Sequence, residues 1–124
     1  MNRVRKATAL AVAAALLLVG AGCGGDDGNG GDDPDRKPGD PIQITFLGDT
    51  VKPSGERVEA KVNEEVELVV TADAPGQLHV HSNPEQTFEY DEGTETFTVT
   101  FDKPGIYDVE SHELEQIIVQ LEVR

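Results

Sequence analysis

From Ile42 to Val123 the chain alternates apolar and polar residues with a period of two. Turn-forming clusters interrupt the alternation every 8–12 residues or so, the spacing of a β-sandwich or barrel. Ile42, Ile44 and Phe46 alternate with Gln43, Thr45 and Leu47. Val58, Ala60 and Val62 alternate with Arg57, Glu59 and Lys61. Val66–Ala72 is apolar enough for a central strand. Further strands are expected over Gln77–Ser82, around Phe88 and Tyr90, over Thr94–Phe101, Ile106–Glu110 and Gln116–Val123. Pro53-Ser54-Gly55, Asn63-Glu64-Glu65, Asp73-Ala74-Pro75-Gly76, Asn83-Pro84-Glu85, Glu92-Gly93 and Asp102-Lys103-Pro104-Gly105 separate them, as Gly, Pro, Asn and Asp do at turns. No stretch beyond Cys23 carries helical periodicity over about ten residues. The expectation is an all-β domain of about eight strands over residues 41–124, with no helix.

The first 22 residues read as a targeting signal, outside the fold. Arg3, Arg5 and Lys6 form a basic start, and Ala7–Val19 is apolar except for Thr8. That run is too short to span a bilayer, which needs about 20 residues. It ends in Leu18-Val19-Gly20-Ala21-Gly22-Cys23. Small residues before a lone cysteine resemble a bacterial lipobox, although Gly20 stands where leucine is usual. The resemblance implies cleavage before Cys23, a diacylglycerol on its thiol, and attachment to the extracytoplasmic face of the cell membrane. An ordinary secretory signal with a chance cysteine is the alternative. Gly24–Asp40 holds six Gly, six Asp and two Pro but no large apolar residue, so residues 23–40 read as a lipidated cysteine followed by a disordered tether. Its Asp-Asp-Gly-Asn-Gly-Gly-Asp-Asp run lacks the ligand spacing and closing glutamate of a calcium loop.

Charge narrows the partners. All 24 acids follow Cys23, against seven of the ten bases, so the mature chain carries a net charge of −17. Such a surface repels nucleic acid and anionic headgroups and attracts cations, or simply confers solubility. With Cys23 lipidated no disulfide can form, and the domain must stand on its apolar core. A monomer is expected, with the membrane reached through Cys23 and no nucleic-acid partner.

The chain has three histidines, His79, His81 and His112. On a strand, His79 and His81 project from one face about 7 Å apart at ~3.3 Å per residue, with Leu78 and Val80 facing the core. Two imidazoles so placed can chelate a metal or can simply be polar residues on the wet side of a sheet. Catalysis finds no support. Ser111 and His112 are adjacent and so point to opposite faces, and no phosphate-binding glycine loop, paired CxxC or HExxH motif is present.

Taken in order, these segments resemble the cupredoxins. The likeness rests on Asn-Glu-Glu-Val-Glu-Leu-Val-Val at 63–70, the histidine-bearing strand, Phe-Asp-Lys-Pro-Gly-Ile-Tyr at 101–107, and a histidine-containing loop before Val-Gln-Leu-Glu-Val-Arg at 119–124. It implies a Greek-key sandwich, and it implies that His79 or His81 lies near His112 at one pole. Ser111 stands where blue-copper members carry cysteine. The only methionine is Met1, and Leu114 and Ile117 occupy the loop that supplies soft ligands. A blue-copper centre requires a thiolate, so that kind of electron transfer is disfavoured. The chain looks more like cysteine-free cupredoxin-like domains, including the EfeO-type domain of bacterial iron-uptake lipoproteins. The expected site is His79, His81 and His112, with Glu113, Glu110 or Asp91 adding a carboxylate, and the expected ion is Cu(II), with Zn(II) or Ni(II) also suited. The alternative is a metal-free surface interaction module, using an exposed apolar cluster near Ile117 and Ile118.

Overall fold

The structure is a computed structural model, and it describes residues 35–124. The signal segment, Cys23 and the tether as far as residue 34 lie outside the described residues. The described residues contain nine strands and no helix. They are β1 (Ile42–Leu47), β2 (Thr50–Lys52), β3 (Glu56–Ala60), β4 (Val66–Ala72), β5 (Gly76–Val80), β6 (Gln86–Tyr90), β7 (Gly93–Val99), β8 (Gly105–Ser111) and β9 (Gln116–Val123). They form two sheets, one in the order β2-β1-β4-β7 and the other β3-β9-β8-β5-β6. Two pairings are parallel, β1 with β4 and β3 with β9.

The period-two pattern is what closes the sandwich. Ile42, Ile44 and Phe46 turn inward from β1, Leu68 and Val70 from β4, Leu78 and Val80 from β5, and Leu121 and Val123 from β9, all buried. Each fully buried aliphatic side chain contributes ~1.5–3 kcal/mol relative to exposure. Phe46 stacks on Tyr90 with ring centroids 5.0 Å apart, and Phe101 stacks on Tyr107 at 4.1 Å.

Three features depart from the sequence reading. β2 is an additional strand, formed because Gly48 (φ 59°) and Asp49 make a two-residue hairpin loop that sets Leu47 opposite Thr50. The last residues assigned to the tether form a turn, in which the Asp40 side chain accepts from the Lys37 amide at 2.9 Å. Lastly, the apolar cluster expected near Ile117 and Ile118 does not form. A β-bulge lets Val109 pair with Val119 and Glu110 with Ile117, so Ile118 is the extra residue and turns inward. Ile118 and Val119 are both fully buried, and the Gly55 amide holds the bulge by donating to the Ile117 and Ile118 carbonyls. Ile117 remains 37% exposed, without its neighbour.

Candidate metal centre

The site is built by the register of two neighbouring strands. β5 and β8 run antiparallel with His79 directly opposite Glu110 and Val80 opposite Val109. The His81 amide donates to the Asp108 carbonyl at 2.9 Å, which carries the ladder one residue past β5. His79 and Glu110 therefore face each other across the strands, while His81 and His112 lie on the diagonals. Diagonal partners in an antiparallel pair are within reach of long or aromatic side chains. Leu78, Val80, Val109 and Ser111 alternate with these four residues and are buried. The expected parity of β5 thus holds, and both histidines stand on the outward face of the five-stranded sheet.

All three histidines converge on one carboxylate. Glu110 Oε1 lies 2.7 Å from His81 Nε2, 3.4 Å from His112 Nε2 and 3.6 Å from His79 Nδ1. His112 Nε2 is also 2.6 Å from His79 Nδ1. Donor atoms of His79, His81 and Glu110 all lie within 4.8 Å of one another. Metal–nitrogen bonds of ~2.0–2.1 Å set ligand atoms roughly 3–3.4 Å apart. The two shortest contacts, 2.7 Å from His81 to Glu110 and 2.6 Å from His112 to His79, are hydrogen-bond distances, shorter than that spacing. The side chains are 13% exposed for His79, 44% for His81 and 61% for His112, so the site opens to solvent on the His112 side.

The metal-free arrangement has a consistent set of protons. A carboxylate accepts only, so the His81 Nε2–H donates to Glu110. That hydrogen bond raises the His81 pKa above 6.5, against the opposing effect of burial, with the charges of Glu110, Glu85 and Asp108 adding to the rise. The same hydrogen bond holds Glu110 below 4.5, assisted by the charges of His81 and His112. A second carboxylate stands behind the rings: Glu85 Oε2 is 3.2 Å from His79 Nε2, and its Oε1 is 3.8 Å from His81 Nδ1.

Of the carboxylates considered from sequence, Glu110 joins the histidines and the other two do not. Glu113 accepts a hydrogen bond from Ser111 Oγ at 3.2 Å, and the Asp91 amide donates to Glu95. Glu110 lies on β8 directly opposite His79, whereas Glu113 lies beyond the strand in the turn and bonds to Ser111. Sequence reading assigned Glu85 only to a strand-breaking turn. Ser111, at the position that the resemblance gives to a thiolate, is 1% exposed and faces inward. It also accepts from the Leu114 amide at 3.3 Å, so its role is to brace the turn between β8 and β9. The histidines and Ser111 are on opposite sides of one sheet. The cluster is therefore a separate construction on the outer face and does not use position 111.

Several solved structures are similar to the described residues. A solution structure of a copper-binding protein in its apo form superposes with a TM-score of 0.53 at 15% identity, over 72% of this chain and 92% of that one. Auracyanin from the photosynthetic bacterium Roseiflexus castenholzii, reduced with dithionite, gives 0.50 at 10% identity, over 68% and 96%. The protein has a cupredoxin-like fold. A multi-copper oxidase from Pediococcus acidilactici gives 0.51 at 16% identity; the match covers 76% of this chain but 29% of that chain's length. No family model matches the sequence, and no curated protein does.

Proposed function

We propose that the protein is a lipid-anchored, extracytoplasmic, non-catalytic domain that binds a transition-metal ion, copper foremost, and delivers it outside the cell. The observation that carries this is the convergence of three imidazole nitrogens on Glu110 Oε1 within 3.6 Å. His79, His81, His112 and Glu110 would hold the ion. Imidazole and carboxylate donors without sulfur suit Cu(II) and Zn(II), and among first-row divalent ions such a set binds Cu(II) most tightly. One structural neighbour is described as a copper-binding protein, which agrees with that choice. The resemblance to the EfeO-type domains of iron-uptake lipoproteins, and the small residues before Cys23, support an envelope location and a role in metal handling.

Calorimetric titration of the purified domain with Cu(II) and Zn(II) tests the reading. The expected result is one ion per chain, held tighter than about 1 μM, or −8.2 kcal/mol, and loss of that site in H79A/H81A. Affinity weaker than about 100 μM that the double substitution leaves unchanged would overturn it. Anchoring is tested separately: C23S should move the protein from the membrane fraction to the soluble one.

A further inference from the structure

We infer that Glu85 is a positioning residue that fixes which nitrogen of His79 faces the ion. The inference rests on the metal reading above, but its first test needs no metal. The ring of His79 is approached from two sides. On one side Nε2 meets Glu85 Oε2 at 3.2 Å. On the other Nδ1 meets His112 Nε2 at 2.6 Å and Glu110 Oε1 at 3.6 Å. An ionised carboxylate has no proton to give, so the proton of a neutral His79 ring belongs on Nε2 and the lone pair on Nδ1. That lone pair accepts the His112 Nε2–H, which accounts for two ring nitrogens standing so close. It also points into the space that the other donors share.

His81 is oriented in the opposite sense. Its Nε2 faces Glu110 at 2.7 Å, and its Nδ1 lies 3.8 Å from the second oxygen of Glu85. One carboxylate therefore backs both rings on the side away from the ion, one oxygen to each. With an ion on Nε2 of His81 the ring proton would sit on Nδ1, the nitrogen that faces Glu85. A carboxylate behind a ligating imidazole sets the tautomer and the ring plane, and removing it typically weakens metal affinity 10–100-fold. Glu85 is held in place by its loop: Ser82 Oγ donates to the Pro84 carbonyl at 2.6 Å, and Gln86 Nε2 donates to Ser82 Oγ at 3.2 Å. The resulting centre would use both kinds of ring nitrogen, Nδ1 from His79 and Nε2 from His81 and His112.

Long-range 1H–15N NMR of the metal-free full chain at about pH 8 reads the tautomers directly, since imidazole is then largely neutral. His79 is expected as the Nε2–H form, becoming a mixture in E85A. With Zn(II) as the diamagnetic probe, His79 Nδ1 should show the coordination shift. Zn(II) affinity should fall roughly tenfold or more in E85A. E85Q keeps an acceptor without the charge and should restore the tautomer and part of the affinity. E67Q, which removes one negative charge from the outer face of the other sheet, should leave both unchanged. A His79 ring carrying its proton on Nδ1 in the wild type, or an E85A protein with the wild-type tautomer and affinity within twofold, overturns the inference. A wild type that takes up no Zn(II) or Cu(II) overturns the metal reading instead, and the metal-free tautomers still decide the role of Glu85.

Discussion

Replacing Glu110 by Gln removes the charge at the centre of the histidine cluster and nearly preserves its shape. Its strongest partner is His81, at 2.7 Å, with side chains 21% and 44% exposed. That exposure places the pair near the upper end of solvent-accessible ion pairs, about 0.5–1 kcal/mol. In a domain of this size the loss corresponds to a Tm lowered by roughly 2–8 °C. The sign with pH follows from the two shifts. The pKa of His81 is raised, so its contribution is complete below 6.5 and disappears as pH rises through the higher folded value. That of Glu110 is lowered, so its contribution is complete above 4.5 and disappears as pH falls through the lower folded value. The stability gap between wild type and E110Q is thus widest between about pH 5 and 6, and narrows on both sides. Thermal melts of the two metal-free proteins across about pH 3–9 measure it. A gap that is equal at about pH 6 and pH 9, or absent at pH 6, would refute the assignment of Glu110 as the hub of the cluster.

Single substitutions of the histidines should rank by position. H79A, at the centre of the cluster and 13% exposed, should weaken Cu(II) binding more than H112A, which is 61% exposed at the open side, and competition titrations against a chelator read the order. G76A should destabilise the fold by about 1–3 kcal/mol in urea denaturation, as overpacking does, because a Cβ there would press on the Tyr90 ring, 2.7 Å from Cζ, where that ring is buried against Phe46. Burial, with the charges of Glu113 and Asp73 adding to it, pushes the Tyr90 phenol up to about 12. Spectrophotometric titration should therefore find a phenol that resists ionisation to about pH 11; two phenols fully ionised at that pH would contradict it.

The sandwich was legible because a half-buried strand writes its two faces into alternate residues. The same rule sets His79 and His81 on the face opposite Leu78 and Val80. It failed where the ladder is irregular. A three-residue strand, Thr50-Val51-Lys52, is too short to show a period, although the Gly48-Asp49 pair before it carries a hairpin signal. The bulge at Ile118 adds a residue to β9, and nothing in Gln116-Ile117-Ile118-Val119 marks which residue is extra. The place of Glu110 beside the histidines was legible in principle, since it lies two residues before His112, whereas Glu113 directly follows it. Glu85 was not legible, because it reaches the site through a turn whose course no periodicity describes.

Parity also decides whether a cysteine at position 111 could make this domain a blue-copper protein. Ser111 is the position where the resemblance places the thiolate, so S111C supplies the residue that the sequence lacks. The side chain at 111 is 1% exposed and inward-facing, while Glu110 and the histidines project from the other side of the sheet. A metal–thiolate bond, about 2.3 Å for zinc, is too short to bridge the thickness of a strand unless β8 slips by one residue. Such a slip would also turn Val109, fully buried, out to solvent. The Cu(II) complex of S111C should therefore keep the weak visible absorption and the EPR spectrum of an imidazole and carboxylate site. The metal-free protein should lose about 1 kcal/mol, because a thiol replaces the hydroxyl that donates to Glu113 and accepts from Leu114. Intense thiolate-to-copper absorption in S111C would show that position 111 reaches the ion, and would place the metal at the pole of the sandwich rather than on its outer face.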